Sequence, residues 1–226
     1  MTAFASLNGQ RVVKASICLP MYGAWSADVD MDNPADIPLN VTLTIANLSL
    51  VGRVYRMASF AGGRSARIVG GYGGWRKTVP VQAYYKTGGV KRSTVLGDVA
   101  ALVGEKIKIT TDQTIGTYFI RELAPAERTL RQVLGSVWYI DEKGVTQCQA
   151  RTNSALIKSE FTVGARSGGQ GRIEIASEDL ASWMPGRTFD APVLNAVQTI
   201  STTTIQADNE GKLRLEILTT GDTYAT

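Results

Sequence analysis

Histidine is absent from all 226 residues. That removes the commonest general base at neutral pH, the serine–histidine–aspartate and cysteine–histidine arrangements, and most transition-metal sites. Cysteine is nearly absent too. Cys18 and Cys148 stand far apart without CxxC spacing, which fits buried free thiols rather than a disulfide scaffold or a zinc site. No apolar run reaches the ~18 residues that cross a bilayer. Arg11 and Lys14 interrupt the stretch where a secretory signal would carry its apolar core. The expectation is a chain that folds in a reducing cytoplasm, outside the membrane. Acidic residues are missing from Ile37 to Gly97, a stretch that holds Arg53, Arg56, Arg64, Arg67, Arg76, Lys77, Lys86, Lys91 and Arg92. Such a block fits cations on the solvent face of a sheet, or a nucleic-acid or acidic partner. Tyr55, Phe60, Tyr72, Trp75, Tyr84 and Tyr85 are scattered through it in no base-stacking pattern.

What is present is organised around Ser93–Cys148, the only stretch with helical periodicity. Ser93 predicts an N-cap, Val95, Leu96, Val99, Leu102 and Val103 follow at helical spacing, and Gly104 supplies a stop. A second helix is predicted from Pro125, with Leu130, Val133, Leu134 and Val137 forming its apolar face. At ~1.5 Å per residue each helix is short, about 18 Å, so packing must hold it. Trp138–Ile140, Asp141-Glu142-Lys143-Gly144 and Val145–Cys148 then read as strand, turn and strand, with Gly144 at the position of positive φ.

Both flanks read as strands. Gln10–Leu19 predicts the first, closed by Pro20. Next, Ala27, Val29 and Met31 alternate with Asp28, Asp30 and Asp32, which places three carboxylates on one face. Val41–Ile45 alternates cleanly, and Val51–Phe60 and Arg64–Val69 bracket a Gly62-Gly63 turn. Beyond the centre, Arg172–Ile175, Val193–Ile205 and Lys212–Leu218 are β-prone, with a corner at Trp183–Arg187 and a turn at Asp208–Gly211. Gly164–Gly171 reads as a polar, mobile loop.

Three motifs carry possible chemistry. Asp28, Asp30, Asp32 and Asp36 stand at the first, third, fifth and ninth positions of a calcium-type loop, and they are the candidate metal ligands. Asn33 replaces the turn glycine and Leu39 the closing glutamate, which favours a solvated strand face leading into an Asn33-Pro34 turn. Gly71–Thr78 approaches a phosphate-binding loop, but Arg76 stands where a glycine must precede the lysine, and Pro80 prevents a following helix. Paired carboxylates could serve acid–base chemistry without histidine, yet no spacing identifies a pair. The reading is a non-enzyme with no catalytic residues and no cofactor.

Three stretches together resemble the baseplate hub proteins of tailed bacteriophages, the family that includes the late-control tail proteins of contractile phages. Ile68–Gly74, leading through Val79-Pro80-Val81 into Thr94–Ala100, looks like the family's glycine-rich link and helix. Leu130–Leu134 with Trp138–Gly144 is similar to its helix, aromatic strand and acidic-glycine hairpin. Met184–Thr188 is like the proline-glycine corner before its last strands. The resemblance covers Ile68 to Leu218 in the family's order. It implies a mostly β chain, with two tail-tube-like β-barrels (residues 1–92 and 151–226) flanking a small α+β insert (93–150). It further implies a virion component of the tail baseplate, a homotrimeric hub ring joining the tail tube or tube-initiator protein to the central spike protein and other baseplate proteins, with DNA only in transit through the lumen. The shorter length also suits a hexameric distal tail ring. The rival from another class is a carbohydrate- or nucleic-acid-binding β-module.

Overall fold

The computed structural model describes residues 5–32, 35–60, 62–151, 156–167, 171–191 and 196–220. The first flank holds strands β1 (Ala5–Leu7), β2 (Gln10–Arg11), β3 (Lys14–Pro20), β4 (Ser26–Asp32), β5 (Asn40–Ile45), β6 (Leu48–Phe60) and β7 (Gly63–Gly70). A period of two drives them. Ala15, Ile17 and Leu19 of β3 and Ala27, Val29 and Met31 of β4 face the core, and Asp28 and Asp32 stay exposed. The single strand expected over Gln10–Leu19 is broken at Val12 and Val13, whose N–H groups reach Ala5 and Asp30. Cys18, expected to be buried, is exposed, because Ile17 and Leu19 take the inward positions on either side of it.

The middle of the chain contains β8 (Thr78–Val79), β9 (Gln82–Tyr85), α1 (Arg92–Val103), β10 (Lys106–Lys108), β11 (Tyr118–Arg121), β12 (Ala124–Pro125), α2 (Ala126–Leu134), β13 (Tyr139–Ile140) and β14 (Val145–Gln147). Helix α1 buries Val95, Leu96, Val99 and Val103 and ends at Gly104 with φ +77°, whereas Leu102 is exposed. Its N-cap is Lys91, not Ser93. Asp112 caps the first turn from outside the helix, accepting the Ser93 N–H at 2.9 Å and the Ser93 hydroxyl at 2.7 Å. Those two bonds hold the Asp112 carboxyl below its usual range. Helix α2 stops at Leu134 before Gly135, whose φ is +65°, so Val137 lies outside the helical face assigned to it.

The second flank is β15 (Thr162–Ser167), β16 (Arg172–Ala176), β17 (Thr188–Ala191), β18 (Ala196–Asp208) and β19 (Leu213–Thr220). Half of the loop expected over Gly164–Gly171 is strand: β15 pairs with β16 through Ser167, with a bulge between Val163 and Arg166. Residues 168–170 of that segment lie outside the described residues, as do 193–195 of the strand expected from Val193 and the Asn33-Pro34 turn.

The protein is mostly β, but the two closed barrels expected of its flanks are not formed. The twelve strands of both flanks make one sheet, ordered β15–β16–β19–β18–β3–β4–β7–β6–β5–β1–β2, with β17 beside β18. The long strand β18 is the reason. Along one edge its residues Ala196–Thr199 pair with β17 and its residues Thr202–Asp208 pair with β3, while β19 runs along the other edge. Strand β3 thus pairs with β4 on one side and with a strand of the opposite flank on the other. One edge that closure of each flank would use, that of β3 and that of Thr202–Asp208 in β18, is taken by the other flank. Across this seam Ile17 sits opposite Ile205 and Leu19 opposite Thr203. Thr203 is fully buried and donates its hydroxyl to the Trp183 carbonyl at 2.6 Å, so the polar group costs little there.

Candidate functional site

The densest glycine cluster leads out of the sheet at the end of β7. Gly71 and Gly73 have φ of +77° and +72°, conformations open to glycine at low cost, and a 3₁₀ turn follows over Gly74–Arg76. The backbone N–H groups converge on a carboxylate of the same chain. Glu105 accepts from Tyr72 N–H at 3.2 Å and from Gly74 N–H at 2.5 Å, and is buried at 7% exposure. Burial pushes the Glu105 carboxyl above its usual range, against the pull of these N–H bonds and of Lys77. The loop therefore cradles a carboxyl group, and that group belongs to the same chain. A β-carbon at Gly74 would fall 2.4 Å from the Val103 carbonyl oxygen, so close packing against α1 requires this glycine. Nothing in the sequence around Glu105 announces the contact, because its partners lie more than thirty residues upstream. Beside the junction, a cavity of about 440 Å³ is bordered by Tyr22, Trp75, Arg76 and Trp138 and by the Glu127–Arg131 pair.

The four aspartates lie where the period-two pattern puts them or next to it. Asp28 pairs with Arg67 at 2.5 Å, Asp30 accepts from the Ser65 hydroxyl at 2.5 Å, and Asp36 lies 3.8 Å from Arg64. Cross-strand register with β7 places Arg67 opposite Asp28 and Ser65 opposite Asp30, while Arg64 stands opposite Met31. Among the described residues no group of three or more His, Cys, Asp or Glu side chains is placed to hold a metal ion.

Much of the basic block is engaged internally. Arg67 and Arg64 face Asp28 and Asp36, Lys77 donates to the Val103 carbonyl at the end of α1, and Arg92 reaches Gln113. Arg56, Arg76, Lys86 and Lys91 remain exposed, and two protrusions carry exposed aromatic and apolar side chains. The first is the far half of β6. Its burial alternates from Leu48 to Val54, and from Tyr55 to Phe60 every residue is exposed. Strand β5 pairs with β6 only as far as Arg53, and β7 continues along the other edge to Phe60. A bulge at Tyr55 marks the change. Tyr55, Met57 and Phe60 thus stand in solvent on an arm with one unpaired edge, and Arg76 lies 4.3 Å from the centre of the Tyr55 ring. That guanidinium holds the Tyr55 hydroxyl below its usual range.

The second protrusion is the ribbon of β9 and β11. Its inner face is fixed to α1 by Arg121, which is buried and donates to Asp98 at 2.7 Å, the Tyr84 hydroxyl at 3.0 Å and the Pro80 carbonyl at 3.1 Å. Burial and the bond to Asp98 push the Tyr84 hydroxyl well above its usual range. The outer face carries Tyr85 opposite Tyr118 and Ala83 opposite Ile120, with Tyr85 at 74% exposure. Both surfaces are aromatic and apolar: Tyr55, Met57 and Phe60 on the arm and Tyr85, Tyr118 and Ile120 on the ribbon are exposed.

Solved structures share this architecture. A component of the type VI secretion system of E. coli, described as similar to the T4 bacteriophage tail proteins gp27 and gp5, superposes with a TM-score of 0.68 at 8% identity, over 98% of this chain and 78% of that one. The 43 kDa tail protein of prophage MuSo2 from Shewanella oneidensis gives 0.64 at 10% identity, over 95% of each chain. A tail protein from Neisseria meningitidis MC58 gives 0.64 at 11% identity, over 96% of each. This chain shares the fold of these tail and secretion-system proteins. No family model and no curated protein matches the sequence. Within the tail-protein fold, the arm, the ribbon and the glycine junction all lie in the stretch that is free of acidic residues or pack directly against it.

Proposed function

We propose that this chain is a non-enzymatic structural component of a phage tail, a hub ring of the baseplate that joins the tail tube to the central spike. The observation that carries this reading is the tail-protein fold extending over nearly the whole chain. Each subunit contributes its two sheet halves, residues 1–92 and 151–226, and the insert 93–150 braces them. Three such subunits present six halves to the sixfold tube above and a threefold axis to the spike below. The exposed apolar arm and ribbon support an assembling protein, since monomers rarely leave such surfaces uncovered.

The test is co-expression with the products of the neighbouring reading frames, followed by affinity capture, mass measurement and electron microscopy. Three copies in a ring bound to tube and spike proteins are expected. Six copies would identify a distal tail ring instead, and a single copy that binds no tail protein would overturn the proposal.

A further inference from the structure

The second flank carries a groove of about 1580 Å³. Phe161, Val163 and Leu213 give it an apolar floor. Its rim is acidic: Glu160, Glu178, Asp179 and Asp190 line it, and among the described residues no lysine or arginine does. None of the four carboxylates forms an ion pair among the described residues. Hydrogen bonds from Ser182 and Asn47 keep Asp179 ionised. The exposed arm of β6 has the opposite character. Tyr55, Met57 and Phe60 are its apolar anchors, and Arg56 beside them makes no ion pair among the described residues.

The arm cannot reach the groove of its own chain. Ala46 lines the groove and Asn47 is tied to Asp179 at 2.7 Å, so the groove adjoins the start of β6. The tip of the arm lies twelve residues further along the same strand, about 40 Å away at roughly 3.3 Å per residue. Pairing with β7 as far as Phe60 keeps that strand extended. An apolar, basic arm and an apolar, acid-rimmed groove at opposite ends of one strand are complementary only between molecules. The geometry points to a head-to-tail contact in which the Tyr55–Phe60 arm of one copy seats in the Glu160–Asp190 groove of the next. A contact between two unlike patches closes into a ring at the right rotation. The inference rests on the ring assembly proposed above and names the surface that would build it.

Cross-linking tests it. In a Cys18→Ser background, Met57→Cys is placed in one population and Ala176→Cys, an exposed groove residue, in another. Cys148 is buried and its thiol is pushed up to about 12, so it stays unreactive. A short bismaleimide should give a covalent dimer in the mixture and none in either variant alone. Arg56→Glu in the arm population, or Glu178→Arg in the groove population, should lower the yield about tenfold, and the two reversals together should restore it. All four positions are exposed, and unchanged melting curves will confirm that the variants fold. Cross-links within a single variant, no mixture-specific cross-link, or a yield indifferent to charge reversal would each overturn the inference. If the cross-link fails while tail complexes still hold three copies, the contact is wrong and the hub reading stands. If it forms while the ring has another copy number, the contact stands and the trimer falls.

Discussion

Gly70 and Trp25 are in such close contact that a β-carbon at Gly70 would fall 2.6 Å from both Cδ1 and Nε1 of the indole. The Gly70 N–H also donates to the Trp25 carbonyl at 2.8 Å. Directly across the sheet, Gly52 leaves room for the far end of the same ring, with a β-carbon 2.7 Å from Cη2. Gly70→Ala therefore overpacks a fully buried site and should destabilise the protein by about 1–3 kcal/mol. Gly97→Ala is the control. That helical glycine has nothing within 4 Å of its β-position, so the substitution should stabilise by about 0.5–1 kcal/mol. Urea denaturation of the two variants measures both signs.

Glu105 satisfies buried N–H groups of the glycine junction, and Glu105→Ala should cost about 1–3 kcal/mol by leaving them unpaired. Its titration gives a second readout. Burial raises the carboxyl above its ordinary value of 4.5, so the folded chain binds the proton more tightly than the unfolded one. The stability contributed is full below the unfolded value and is lost as pH rises through the folded value. Glu105→Gln cannot titrate. The stability of wild type relative to Glu105→Gln should thus fall with rising pH across that window, and a flat difference from acid to neutral pH would contradict the assignment.

Gly144 has φ +74° in the turn between β13 and β14, and a β-carbon there would lie 3.1 Å from Cγ1 and 3.3 Å from the carbonyl oxygen of Val51. The turn also docks on β6, since Val51 N–H donates to the Glu142 carbonyl at 2.8 Å. Gly144→Val should destabilise by about 1–3 kcal/mol, from backbone strain together with this contact. A variant that melts like wild type would show that the turn relaxes freely.

Chelation should leave the melting temperature unchanged. Asp28 and Asp30 already have Arg67 and Ser65 as partners at 2.5 Å. A bound ion would stabilise the fold by mass action, so a drop on adding chelator that one particular metal reverses would establish a cation site.

Local order was legible in the residues themselves. The alternation of Ala27, Val29 and Met31 against the aspartates requires a strand with one wet face. Gly104, Gly144 and Gly211 mark the places where the chain turns with positive φ, and each does so. The helical spacing of Val95, Leu96, Val99 and Val103 marks the buried stripe of α1. These signals act within a few residues, where sterics and side-chain periodicity leave few choices.

Contacts between distant stretches were decided by the tertiary structure alone. Ser93 has the chemistry of a helix cap, yet Asp112 from beyond the helix supplies the carboxylate, and the helix begins before Ser93. Leu102 fits the helical stripe but faces solvent, because its exposure depends on which elements pack nearby. The flanks do not close into barrels for the same reason. A β-strand offers two equivalent hydrogen-bonding edges, and nothing in β3 or β18 specifies which strand will take the second one. Ile17 opposite Ile205 and Ala15 opposite Ala207 bury apolar surface across the seam between the flanks. That choice depends on the summed packing of residues nearly two hundred positions apart, so the sequence determined the strands and their wet faces while the tertiary structure determined their neighbours.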